Sequence, residues 1–270
     1  MRRFKSGLTT TITWILVLLF FFPIAWMFMT AFKSEADAAS IPPKFFFTPT
    51  LDQFQIVFDR GMGSFLLNSF TSSIASTLIV LLLAIPAAYA LSIRPVKKVQ
   101  DSLFFFISTR FMPVAASILP IFFILKFMGL LDNITALTFL YAAMNLPIAV
   151  WMMRSFFNEV PMEIIEAAQI DGANFRTELV KVVLPIVVPG IAAVALICFI
   201  FSWNEYFMAL LLTTDTARTT PPFLASFVDG RGQFLAVLSA ASTIAVLPVI
   251  IAGWAAQKQL VRGLAMGAVK

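Results

Sequence analysis

Histidine is absent from the 270-residue chain, and cysteine occurs once. Without histidine the chain lacks the commonest general base and the commonest zinc ligand. The lone Cys198 excludes a disulfide within the chain. Charge is also scarce, at 12% of residues, against about 25% in soluble proteins. No G-x-x-x-x-G-K-[ST] loop is present to cradle a nucleotide phosphate. With no nucleophile–base pattern either, catalysis carried by this chain alone is not expected, and neither a catalytic residue nor a metal ligand is assigned.

What fills the space is apolar. Hydrophobic residues make up 60% of the chain, and 30 of the residues are phenylalanine. That surplus is gathered into long runs, so the class is an all-α integral membrane protein. The net charge of +5 reads as basic residues holding the cytoplasmic side of the membrane, not as affinity for nucleic acid. The N-terminal run from Ile12 to Phe32 exceeds a typical signal core and has no clean small-x-small cleavage site, so it is expected to be a retained first span.

A span needs roughly 20 apolar residues at about 1.5 Å each. Six stretches qualify, at 12–32, 65–92, 103–125, 134–153, 186–212 and 234–256. Asn133, Asn145 and Pro147 make the fourth the weakest in apolar signal. With the N-terminus in the cytoplasm, twelve basic residues fall on cytoplasmic pieces and six on outer ones, while Arg110 falls within the third span. That bias places both termini in the cytoplasm. One transmembrane domain is therefore expected over 1–270. Pro23, Pro86, Pro113, Pro120, Pro147 and Pro248 interrupt the spans and suit bent helices around a cavity as well as simple packing. The outer stretch 40-SIPPKFFFTPTLDQF-54 reads either as a connector resting on the membrane surface or as a docking rim for an external partner.

The longest polar interruption follows the fourth span, at 154-RSFFNEVPMEIIEAAQIDGANFRTELVKVVLPIVVPG-190. Asn158 or Glu159 suits a helix cap, with Pro161 in the first turn. At 100° per residue, Val160, Ile164, Ala167 and Ala168 share one side with Ile165 flanking it, and Glu159, Glu163 and Glu166 line the other. Asp171 and Gly172 turn the chain, a second short helix runs from about 174 to 181, and Pro185 and Pro189 open the fifth span. A passive link needs only a few residues. A helix, a tight turn and a second helix with small alanines on one flank have the shape of a knob seated in a partner.

These residues carry a resemblance. Glu166-Ala167-Ala168, three residues, Gly172, nine residues and then Val182-x-Leu184-Pro185 resembles the EAA motif of the membrane subunits of ATP-binding-cassette importers. Val182 stands where that motif usually has isoleucine. The stretches 108-STRFMPVAASILPIFFI-124 and 203-WNEYF-207 and the tail 257-QKQLVRGLAMGAVK-270 are similar to the shorter permease of the maltose-transporter type. The resemblance implies a type I importer permease. It makes 154–184 the coupling loop, with Glu163, Glu166, Ala167, Ala168, Asp171, Gly172, Leu184 and Pro185 as ATPase-coupling residues. It makes 257–270 a cytoplasmic tail in which Gln257, Gly263 and Gly267 reach toward the ATPase interface. It further implies a second, longer permease, a homodimeric cytoplasmic ATPase that uses ATP and Mg, an extracytoplasmic solute-binding protein, and a bacterial inner membrane. No cofactor is expected on this chain.

Two intramembrane features bear on cargo. Arg110 either snorkels, pairs inside the bundle or lines a pathway. Asn204, Glu205 and Tyr206 suit either interhelical or gate structure, or contact with a sugar's hydroxyls and face. The expected cargo is a sugar, polyol or related glycoside. An ion-driven secondary transporter would want more mid-membrane ionisable groups and internal repeats. A non-transporting scaffold would have no need of proline-bent spans.

Overall fold

In lipid, a long apolar run must satisfy every backbone N–H and C=O internally, and the computed structural model is accordingly built of helices. It describes residues 2–94, 97–111, 114–228 and 234–268. In chain order the elements are α1 (Arg2–Thr30), α2 (Glu35–Ala38), α3 (Asp52–Asp59), α4 (Met62–Ile93), α5 (Val99–Arg110), α6 (Val114–Phe127), α7 (Ile134–Phe157), α8 (Met162–Ile170) and α9 (Phe175–Thr177). A π-helical stretch (Glu178–Val183) leads into α10 (Leu184–Trp203), followed by α11 (Phe207–Leu212), α12 (Thr220–Ala225) and α13 (Leu235–Ala268). Among the described residues, five helices are long and apolar enough to cross a membrane: Thr9–Thr30, Met62–Ile93, Ile134–Phe157, Phe175–Trp203 and Leu235–Gln259.

Three sequence expectations change. The expected span 103–125 is two helices, α5 and α6, neither long enough to count alone. The expected span 186–212 stops at Trp203, and a non-helical step over 204–206 separates it from α11. The expected second short helix near 174–181 is present as α9 and the π-helical stretch, but it runs on into α10 without a break, so the backbone stays helical from Phe175 to Trp203. Pro23, Pro86, Pro120, Pro147 and Pro248 do lie inside helices. Pro113 lies outside the described residues.

The chain forms two compact units. The first comprises 1–64 and 223–247. Its α1 carries exposed apolar side chains from Ile12 to Phe22. At the end of α1 the ammonium of Lys33 is buried, donates to the Lys44 carbonyl at 2.7 Å and lies 4.2 Å from the Trp26 ring centre. Glu35 accepts from the backbone N–H groups of Ala236 and Val237 at 3.1 and 2.8 Å, capping the start of α13.

The second unit comprises 65–222 and 248–270. Its main core joins Val80, Ala84 and Tyr89 of α4 to Val150, Met153 and Phe157 of α7 and to Ile165, Leu179, Val183 and Val187. A second cluster, around Ile118, Leu137, Tyr141, Met208 and Leu212, sits where α6, α7 and α11 meet. Helix α10 approaches α7 so closely that a Cβ on Gly190 would lie 2.3 Å from the Phe156 ring. A polar seam crosses this packing: Asn145 donates to the Ser202 hydroxyl at 2.9 Å, and Ser202 meets Ser76 at 3.0 Å.

Candidate functional site

The segment after α7 folds as an elbow. Asn158 ends α7 and does not cap the next helix, which begins one turn later with Pro161 at its N-cap position and no side-chain cap. Val160, Ile165 and Ala168 are buried against the core. Ile164 and Ala167, expected on the same side, are exposed. The apolar and small residues span so wide an arc of this helix that periodicity allows two stripes, and the pocket under Phe157 and Leu179 selects the one bearing Ile165.

The outward face carries Glu163, Glu166, Ala167 and Asp171, with Ile170 86% exposed at its end. The turn closes through Gly172 N–H to the Gln169 carbonyl at 3.0 Å and Ala173 N–H to the Ala168 carbonyl at 2.9 Å. Gly172 adopts φ +80°, a left-handed conformation that side chains disfavour. Asn174 then caps α9 by accepting from Thr177 N–H at 2.9 Å. Leu184 is half-buried and Pro185 exposed in the first turn of α10.

Beneath the elbow lies a group that sequence reasoning missed. Glu178 is 1% exposed, and its carboxylate accepts from Arg94 Nη2 at 3.0 Å to each oxygen, from Gln169 Nε2 at 3.1 Å and from the Tyr89 hydroxyl. The Arg94 guanidinium lies over the Tyr89 and Phe175 rings, at 5.6 and 5.7 Å. Arg154 adds a tie by donating from Nε to the Leu91 carbonyl at 3.2 Å. The available signal was Glu178 itself: an acid on a helix face otherwise occupied by Phe175, Leu179 and Val182 needs a buried partner.

Among the intramembrane residues, Arg110 donates to the Met144 carbonyl at 2.8 Å and lies 5.1 Å from the Phe201 ring. It lines a cavity of about 450 Å³ with Thr109, Ser117, Met144, Pro147 and Met208. Asn204 and Glu205 shape the break after α10. The Asn204 amide returns to the Ile200 carbonyl at 2.9 Å, and the Glu205 carboxylate caps α11 by accepting from Met208 and Ala209 N–H at 2.9 and 3.1 Å. Tyr206 remains exposed beside them. The three residues form the non-helical step between α10 and α11, with Asn204 and Glu205 bonded to the helices on either side of it.

Asp132 was also missed. Its carboxylate accepts the backbone N–H groups of Thr214, Asp215, Thr216 and Ala217 at 3.0–3.2 Å and the Thr216 hydroxyl at 2.9 Å. Burial alone would raise its pKa, but these donors hold it well below the usual carboxylate range. Asn68 adds bonds to the carbonyls of Thr216 and Arg218 at 2.8 and 3.0 Å. At the other end of the chain, Gln257 lies exposed on α13, whose backbone continues through Gly263 and Gly267. Among the described residues no group of three His, Cys, Asp or Glu side chains is fit to hold a metal ion.

Comparison with known proteins gives a consistent picture. Residues 62–265 match the family described as "Binding-protein-dependent transport system inner membrane component". The chain is 36% identical to a probable ABC transporter permease of Sinorhizobium fredii, over 99% of this chain and 97% of that one. It is 32% identical to the sulfoquinovosyl glycerol transport system permease of Agrobacterium fabrum, over 92% and 88%. Its fold resembles a chain in the crystal structure of a bacterial ABC transporter involved in import of the acidic polysaccharide alginate, with a TM-score of 0.76 at 24% identity, covering 96% of this chain and 97% of that one.

Proposed function

The chain belongs to the family of binding-protein-dependent transport system inner membrane components, and from that premise we propose which cargo it moves, how it is driven and which residues do each. It is the non-catalytic, membrane-spanning permease subunit of an ATP-driven importer in the inner membrane. The proposed cargo is a sugar, polyol or related glycoside, a class supported by the relative named for sulfoquinovosyl glycerol. The proposed arrangement has six crossings, with α5 and α6 together making the third, and both termini in the cytoplasm. The basic residues of the intervening segments support it.

The observation that carries the mechanism is the elbow. An apolar Ile170, 86% exposed at the end of a short helix whose underside is anchored by Ile165 and Ala168, is a surface prepared for a partner. Helix α8 seats in a cleft of a dimeric cytoplasmic ATPase, presenting Glu163, Glu166, Ala167, Asp171 and Gly172. Ala168 roots it, and Leu184 and Pro185 set the angle at which the π stretch enters α10. Closure of the ATPase on ATP and Mg displaces α8 and biases the spans between inward- and outward-facing states. Gln257, Gly263 and Gly267 place the tail against the same ATPase. A second, longer permease and an extracytoplasmic solute-binding protein complete the assembly. Arg110 and the Asn204–Glu205–Tyr206 step border the route of the cargo.

Two measurements test this. Growth of a deletion strain on a panel of sugars, polyols and glycosides should show loss on one member or a related set, restored by the gene; unimpaired growth on all of them removes the cargo assignment. Replacing Ala167 with Trp should leave the permease in the membrane but reduce co-purifying ATPase and abolish uptake. Normal uptake from that variant removes the coupling role.

A further inference from the structure

We propose that Glu178 and Arg94 form a directional joint that makes α4 move with the coupling helix, so that one displacement of α8 is delivered to two spans. The inference rests on α8 being the ATPase contact. Helix α8 is joined to α10 by the chain itself, through Gly172 and α9. Helix α4 has no such covalent route. It meets the elbow through Tyr89 and Arg94, both aimed at one carboxylate that also receives Gln169 from α8.

The apolar contacts around this point, Tyr89 with Phe157 and Phe175 and the packing of Ile165, Leu179 and Val183, are non-directional and permit sliding. A carboxylate bridged by a guanidinium, an amide and a hydroxyl does not, because each charge-assisted bond fixes distance and direction. An ion pair that buries its carboxylate and leaves its guanidinium half-buried adds little net stability, because desolvation of the acid offsets the attraction. Its contribution is therefore geometric: it locks the register of α4 against the π stretch. The position fits that role. Glu178 opens the π stretch, where the helix is widened and its hydrogen-bond pattern is least regular. An unsupported π turn would absorb a push from α8 by bending.

Spin labels report the joint without any knowledge of the cargo. Cysteines replace the exposed Leu83, in α4, and Lys181, in the π stretch, with Cys198 changed to Ala. In the assembled complex the distance between the labels should be the same nucleotide-free and trapped with ATP and vanadate. In Glu178→Gln it should shift or broaden between the two states by about 2 Å, the scale of helix shifts in such transitions. The reciprocal pair Glu178→Arg with Arg94→Glu should restore the fixed distance, which a merely structural loss would not. Equal behaviour of wild type and Glu178→Gln overturns the joint, as does a distance that changes between states in the wild type. If Glu178→Gln fails to assemble, Arg94→Lys, which keeps the charge but not the planar guanidinium, is read the same way. Absence of any ATPase from the purified wild-type complex refutes the coupling reading instead, so the two failures are distinguishable.

Discussion

Asp132 shows how much order one carboxylate imposes on a loop. Four backbone N–H groups and a hydroxyl converge on it, while its own backbone N–H donates to the Leu212 carbonyl at 2.9 Å. Hydrogen bonds to a charged group contribute about 1.5–3 kcal/mol each before context reduces them. Asp132→Ala is therefore expected to destabilise the protein by about 2 kcal/mol, read as a lower unfolding temperature in detergent. The pH dependence has a definite sign. The folded pKa is depressed, so the stabilisation is full above the ordinary carboxylate range and fades as pH falls below about 4. The gap in unfolding temperature between wild type and Asp132→Ala should narrow at acid pH; a gap that widens contradicts the assignment.

Gly190 offers a second residue-scale test. A methyl there meets the Phe156 ring at 2.3 Å, and overpacking of this kind costs about 1–3 kcal/mol. Gly190→Ala should lower thermal stability, and Phe156→Leu in the same chain should recover part of it. Additive losses from the two changes would mean that the ring is not what the methyl strikes.

At the scale of elements, the turn after α8, proposed to couple to the ATPase, and the non-helical step between α10 and α11 are the parts to test. Gly172 has open space around its Cβ position but a φ of +80°, so a side chain meets backbone strain and no neighbour. Gly172→Val should cost about 1–2 kcal/mol locally, changing the exit angle from α8 and lowering uptake more than protein abundance. Uptake and abundance falling in proportion would show only misfolding. Glu205→Gln keeps one acceptor for the α11 N-terminus and removes the charge. Unchanged transport affinity with a modest stability loss is the result expected of a helix cap. A large change in affinity would assign it to the cargo instead.

At the scale of the whole molecule, membrane topology is the prediction to check. Cysteines at Glu163 or Asp171 should react with an impermeant thiol reagent only after the inner face is opened, while one at Phe46, 96% exposed, should react in sealed cells. Reversed accessibility would invert the proposed orientation. The exposed α1 belongs to this scale as well. From Ile12 to Phe22 it turns apolar side chains outward all round, so within this chain its stability depends on a lipid or protein surround.

Much of this was legible in the residues, for physical reasons. Twenty-residue apolar runs admit only helices in lipid, the placement of Lys and Arg biases orientation, and a Gly after an alanine-bearing amphipathic turn marks a helix stop whatever surrounds it. The family resemblance of the EAA segment was visible for the same local reason, its spacing. What the chain order alone did not settle were choices made by neighbours distant in sequence. The stripe of α8 that packs is selected by a core that joins Phe157 and Leu179 to Val80 and Tyr89 of α4. Arg94 and Tyr89 stand 84 and 89 residues from Glu178 in the chain, and the donors to the Asp132 carboxylate stand 82–85 residues from it. Periodicity and propensity act over one or two helical turns, whereas a buried charge is satisfied by whichever donor the packed helices bring within 3 Å. For that reason membrane insertion and helical class belong to the sequence, and the joints between helices belong to the tertiary structure.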